Sequence, residues 1–223
     1  MITVHHLENS RSQRVLWMLE ELGEPYEVRR WQRGPDMMAP PELRRIHPLG
    51  KSPVVVDGGL TLAETGLILT YLCERYGTGS LAPPGGDTRA PERLAWLYWL
   101  HYAEGSAMPP LLIRMIFGML PKRSPLPLRP FAKLLSAGIN RRLLGPQLAM
   151  HFDFWESALR ATGWFAGSDF TAADAMMSFP IEAAASRVGF GSDRPALTDF
   201  LARIHTRPAY RRALERGGPY SLG

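Results

Sequence analysis

Residues 47–65 read HPLGKSPVVVDGGLTLAET. Val54-Val55-Val56-Asp57 and Leu60-Thr61-Leu62 are short β-forming runs, and Gly58-Gly59 between them supplies a tight turn, so the stretch predicts a hairpin. Pro53 stands where the first strand begins, a place where its missing N–H is not needed. Glu64-Thr65 then opens a helix with Leu67, Ile68, Tyr71 and Leu72 on its inner face. An acid and a threonine both suit a helix start.

Working back toward the N-terminus, Tyr26–Trp31 reads as a strand and 41–46 as a short helix. Val15, Leu16, Leu19 and Leu22 mark one face of a helix that Gly23 stops, and Ile2–Leu7 reads as a buried strand. The expected order over residues 1–80 is βαβαββα. Working forward, residues 77–91, GTGSLAPPGGDTRAP, have linker composition, and the connection is placed at 81–90. Residues 91–223 read as helical almost throughout. Leu94, Leu97, Tyr98, Tyr102 and Met108 extend a long helix. Prolines 109, 110, 121, 125, 127 and 130 are expected to break the middle, with 121–142 a basic, solvated connection and 143–159 helical again.

The chain has 223 residues, 45% hydrophobic and 21% charged, which fits an ordered globular protein. No apolar run reaches the roughly 18–20 residues of a membrane span, and MITVHHLENS lacks a signal-peptide pattern. The expectation is a cytoplasmic protein with no membrane partner. The single cysteine, Cys73, excludes an internal disulfide and a CxxC pair and reads as a buried packing residue. His5 and His6 are adjacent on a strand and point to opposite faces, and no other histidines pair at ligand spacing, so no metal is expected. Net charge is +5, but the arginines are scattered outside any nucleic-acid motif, so no nucleic-acid partner is expected.

Three segments carry chemistry. Asn9-Ser10-Arg11-Ser12-Gln13-Arg14 joins the first strand to the first helix. Ser10 and Gln13 fit a capping box there. The same hydroxyls and amides, with the helix N-terminus behind them, can stabilise a bound thiolate. In the second segment, a cis Ser52–Pro53 bond would turn the Ser52 backbone outward to pair with an extended peptide, and Lys51 would meet a carboxylate. In the third, Glu64 can accept from an ammonium and Thr65 can hold the neighbouring carboxylate. The set asks for a ligand with a thiol, a peptide-like middle, a carboxylate and an amino-acid head. Glutathione has all four.

At this point the chain resembles the cytosolic glutathione transferase family, above all bacterial and fungal members whose first strand runs into HSR or NSR and a helix. GKSP and Glu64-Thr65 resemble that family's glutathione-site motifs. Phe170-Thr171-Ala172-Ala173-Asp174 resembles its capping box, with Thr171 as N-cap and Asp174 reaching back. The resemblance implies an α/β plus all-α protein. Its thioredoxin-like N-terminal domain would hold glutathione as co-substrate, and its all-helical domain would hold the second substrate. It implies a homodimeric transferase that activates the thiol for attack on a small hydrophobic electrophile. The alternatives are a glutathione-dependent peroxidase or isomerase on the same site, or a non-catalytic binding or regulatory protein. The first loop departs from the tyrosine and cysteine classes, since neither residue occurs before Tyr26. Ser10, Asn9 and Ser12 remain as sulfur contacts, with Arg11 assisting. Tyr102, Met108, Leu112 and Met115 are the candidates for the second-substrate site. Trp96, Tyr98 and Trp99 are too many large rings for one thin core, so some are expected to meet a partner subunit.

Overall fold

A computed structural model describes residues 1–79, 81–84, 87–218 and 220–221. Gly85 and Gly86, within the expected linker, lie outside the described residues. Four strands, β1 (Ile2–Leu7), β2 (Tyr26–Trp31), β3 (Val54–Asp57) and β4 (Leu60–Ala63), form one sheet in the order β2-β1-β3-β4. β1 pairs parallel with β2 and antiparallel with β3, and β3 and β4 form the expected hairpin. β1 is central, which explains why five of its six residues are buried rather than alternating.

Helices α1 (Gln13–Leu22) and α2 (Thr65–Tyr76) pack on each other and on the helical half. The first two turns of α1 are buried all round. Gly23 ends α1 in the left-handed region at φ 71°, where a side chain would be strained. On α2 the inner face is Ile68, Leu69 and Leu72, whereas Leu67 points to solvent. Cys73 is buried as expected, and burial pushes its thiol up to about 12. The helix expected at 41–46 is a 3₁₀ turn, Pro41–Arg45; Pro40 before it and Pro48 after it leave room for little more than one turn.

The helical half contains α3 (Pro91–Tyr102), α4 (Met108–Arg123), α5 (Arg129–Ile139), α6 (Gly145–Thr162), α7 (Ala172–Arg187), α8 (Pro195–Thr206) and α9 (Pro208–Gly217). The prolines break it less than expected. α3 continues into α4 through a π turn, Ala103–Ala107, directly before Pro109 and Pro110. Both prolines fall in the first turn of α4, where a missing N–H is tolerated. Pro121 sits inside α4 and frees the Phe117 carbonyl, which the Ser136 hydroxyl of α5 meets at 2.9 Å. Pro180 sits inside α7 and frees the Met176 carbonyl, which Arg14 meets at 2.8 Å. Each interior proline is thus offset by a donor from another element. The stretch 121–142 is mostly helix, not a solvated connection, because α5 packs along α4.

One core runs through both halves around Trp17, Trp96 and Trp155, with α7 buried on nearly every side. Trp96 and Trp99 are internal, and only Tyr98 of the three rings is exposed. Trp96 and Trp99 find room inside because α3 packs against α7 and Trp99 stacks on Phe154 of α6 and contacts Phe165, while Tyr98 is left at the surface.

Candidate functional site

Register brings the three chemical segments to one end of the sheet. His5 pairs with Val54, and Val54 with Ala63, so the residues after β1, before β3 and after β4 are neighbours. Side chains extend the ladder past its last backbone pair. Ser52 Oγ donates to the His5 carbonyl at 2.8 Å and accepts from Leu7 N–H at 3.2 Å. The Ser52–Pro53 bond is cis, as the sequence suggested. Lys51 is exposed beside it.

Between β1 and α1 the chain turns at Asn9 with φ 48°, a left-handed conformation that asparagine tolerates. The Asn9 side-chain oxygen accepts from Ser221 N–H at 2.7 Å, tying the C-terminal tail to this loop. The expected capping box is not formed. Gln13 is the first helical residue, and neither polar atom of its side chain has a partner among the described residues. The turn is closed instead by Gln13 N–H on the Ser10 carbonyl, while Ser12 N–H bonds the Ser10 hydroxyl. The N–H groups of Ser10 and Arg11 have no backbone partner among the described residues.

The two serines form a chain that ends on His6. Ser10 Oγ lies 2.7 Å from Ser12 Oγ, which lies 2.8 Å from His6 Nδ1. Burial and the Arg30 charge push His6 down to about 4, so the ring is neutral at pH 7 and carries one N–H. Its bond to the Gly217 backbone favours the protonated form, so the ring is the donor there and Nδ1 is an acceptor. Ser12 therefore donates to His6 at 2.8 Å rather than to the Leu7 carbonyl at 3.3 Å, and Ser10 donates to Ser12. Ser12 is fully buried, whereas Ser10 keeps a 7% exposed edge. What Ser10 offers outward in this arrangement is a lone pair.

Arg11 and Arg14, three residues apart on one face, both reach Glu104 of the π turn. Arg11 Nε contacts both carboxylate oxygens at 2.9 Å, and Arg14 contacts Oε1 at 2.5 Å. Burial opposes the Glu104 charge, but the two guanidinium groups outweigh it and hold the carboxyl below the usual range. Both arginines also lie over the Phe179 ring, at 5.0 and 5.1 Å. Arg14 reaches Thr65 Oγ1 at 3.5 Å, so the buried Thr65 hydroxyl faces the first helix. Glu64 is exposed at the start of α2 with φ 71° and ψ 120°. A non-glycine residue held there is strained, a feature that gathers at ligand sites.

Asn9, Ser10, Ser12, Arg11, Lys51, Ser52, Pro53, Glu64 and Thr65 are thus drawn to one end of the sheet. The four second-substrate candidates occupy different settings. Tyr102 is buried, its hydroxyl bonded to His151 and receiving Trp155 N–H at 3.0 Å. Met108 is buried, Met115 half-buried and Leu112 exposed. His6, Glu104 and Phe179 escaped the sequence reading. Only Pro109-Pro110 beside Glu104 hinted at irregular backbone there.

The N-terminal domain profile of the glutathione S-transferases matches residues 10–75, and their C-terminal domain profile matches 144–208. A glutathione S-transferase 3 of Schizosaccharomyces pombe is 37% identical over 97% of this chain and 88% of its own. A glutathione S-transferase 1 of Saccharomyces cerevisiae is 31% identical over 97% and 95%. A solved glutathione S-transferase of Actinobacillus pleuropneumoniae superposes with a TM-score of 0.80 at 31% identity, covering 100% of this chain and 94% of its own. The fold is a four-stranded mixed sheet domain joined to a helical domain, and the chain belongs to the glutathione S-transferase family. The family is not uniform in chemistry: a disulfide-bond oxidoreductase of Escherichia coli, YfcG, is 29% identical over 96% of this chain and 94% of its own.

Proposed function

We propose that the protein is a glutathione transferase that prepares the thiol for attack on a small hydrophobic electrophile. The observation that carries this is the meeting of the Asn9–Arg14 loop, Lys51-Ser52-Pro53 and Glu64-Thr65 at one end of the sheet. In this reading residues 1–80 hold glutathione, 81–90 connect, and 91–223 supply the second-substrate site with Tyr102, Met108, Leu112 and Met115. Glu64 takes the ammonium, Thr65 the adjacent carboxylate, Ser52 the peptide backbone and Lys51 the far carboxylate. Pro53 sets the course of the Ser52 backbone. The sulfur sits at Ser10, with the N–H groups of Ser10 and Arg11, which have no backbone partner among the described residues, and the start of α1 favouring the thiolate. Ser12 donates to it only by giving up its bond to His6, whereas the Asn9 bond to Ser221 uses the side-chain oxygen and not the amide donor. The protein acts in the cytoplasm as a homodimer.

Titration calorimetry with glutathione, and the ultraviolet absorbance of the bound thiolate against pH, test the site. Saturable binding with a thiol pKa below that of free glutathione is expected. No binding, or an unshifted pKa, would overturn the reading. Glutathione-dependent reduction of a disulfide without any conjugation to an activated aryl halide would move the protein to the reductase reading, which its similarity to the Escherichia coli oxidoreductase keeps in play.

A further inference from the structure

α5 is built the wrong way round for a helix surrounded by water. Its side toward α4 carries small residues: Ala132 and Ser136 are buried, and Ser136 bonds the Phe117 carbonyl. Its large apolar residues, Phe131, Leu134 and Leu135, follow the i, i+3, i+4 spacing of one face and point outward. Phe131 is 68% exposed and Leu134 72%. Leu126 and Leu128, in the turn leading into α5, are exposed too. A cluster of this kind on a protein surface marks a contact.

Charge says what kind. Residues 105–152 contain seven lysines and arginines and no aspartate or glutamate, while the other charges of the chain are mixed. Lys122, Arg123, Arg129 and Lys133 are all exposed around the α4–α5 hairpin. A two-fold dimer built on this face would set one basic patch against its copy, which like-charge repulsion opposes. A partner that is apolar below and negative above meets both features at once. No helix among the described residues is long and apolar enough to cross a membrane, so the hairpin can lie on a bilayer but not span it.

We propose that the α4–α5 hairpin is a membrane-surface contact, with Phe131 and Leu134 entering the headgroup boundary of an anionic bilayer while the charges of Lys122, Arg123, Arg129 and Lys133 around the hairpin draw it to that surface. The glutathione-binding residues lie on other elements, so a docked molecule keeps its glutathione site, while Leu112 and Met115 of α4 set the second-substrate site beside a reservoir of lipid-soluble compounds.

The test is sedimentation of the full chain with vesicles of phosphatidylcholine alone, and with roughly one third phosphatidylglycerol added. Binding to the anionic vesicles is expected, falling steeply with salt and absent from the neutral ones. The double substitution Phe131→Ser, Leu134→Ser should weaken it by about tenfold or more, since each removes a buried apolar side chain. Glutathione binding should be unchanged. Should that variant misfold, Arg129→Glu with Lys133→Glu carries the same test through charge, with about a tenfold loss or more expected from reversing two charges near an anionic surface. Failure to bind anionic vesicles, or binding that ignores both pairs of substitutions, overturns the proposal. So does a switch from dimer to monomer in the Phe131, Leu134 variant, because a second copy would then be the occupant.

Discussion

Hydroxyl accounting at the first loop makes the serines unequal. Ser12 spends its only proton on His6, and Ser10 spends its own on Ser12. Removing Ser12 therefore frees the Ser10 proton to face the sulfur. With Ser12→Ala, the thiol pKa of bound glutathione should fall by about one unit, the scale of one hydrogen bond to a charged group. Ser10→Ala should leave that pKa nearly unchanged, because the thiolate rests on backbone N–H groups. Thiolate absorbance against pH reads both, and a rise in pKa for Ser10→Ala alone would show that Ser10 donates after all. At Glu64 the backbone and the side chain can be separated. Glu64→Ala keeps the strained conformation and should weaken glutathione binding by about 1.5–3 kcal/mol. Glu64→Gly should weaken it similarly while raising stability, because glycine adopts φ 71° without the penalty of about 1–3 kcal/mol. Calorimetry and chemical denaturation separate the two effects.

Elements were legible where their signals are local. The hairpin at 54–63 follows from two β runs and a Gly-Gly turn, and the Thr171–Asp174 box formed as expected. Thr171 accepts from Ala173 N–H, and Asp174 reaches back to Thr171 N–H at 2.8 Å. The sequence failed where a distant partner decides. The Ser10–Gln13 cap lost to Ser12 and His6. The prolines of 109–121 did not break their helices, because 109 and 110 fall in the first turn of α4 and Ser136 takes up the carbonyl that Pro121 frees. Glu104 joins Arg11 and Arg14 across some ninety residues, and no short-range pattern records that. The Asp174 box also makes a measurable prediction. Asp174 additionally accepts from Phe165 N–H at 2.8 Å and is buried. Burial, opposed by those hydrogen bonds, pushes its carboxyl from 3.8 up to about 6. A raised folded-state pKa means the fold holds this proton more tightly than the unfolded chain does, so the contribution of Asp174 to stability declines as pH rises from about 4 to about 6 and is level above that. Asp174→Asn cannot titrate. Its stability relative to wild type should therefore improve across that window, whereas Asp174→Ala, which strands two N–H groups, should cost about 2–4 kcal/mol at pH 7. Urea denaturation at several pH values checks both.

At the scale of the whole molecule, one of the ties between the two halves is a buried cation whose position the sequence explains only in retrospect. Pro180 has no N–H, so the Met176 carbonyl one turn earlier in α7 lacks its helical donor. Arg14, on the first helix of the other half and 1% exposed, donates to that carbonyl at 2.8 Å. The same guanidinium holds Glu104 of the π turn and approaches Thr65 of α2. An arginine in the first loop region and a proline near residue 180 are thus two parts of one joint, and each makes sense of the other. The consequence is energetic coupling between residues far apart in sequence. Arg14→Met alone should destabilise by about 3 kcal/mol or more, because it strands a buried carbonyl and leaves Glu104 with Arg11 alone. Pro180→Ala restores the α7 N–H, which then competes with Arg14 for the Met176 carbonyl. In that background Arg14→Met should cost about 1 kcal/mol less, the worth of one carbonyl no longer left unpaired. Denaturation of the wild type, both single variants and the double variant closes the cycle. Strictly additive losses would show that Arg14 is held by Glu104 alone and that the proline plays no part in fastening the sheet domain to the helical one.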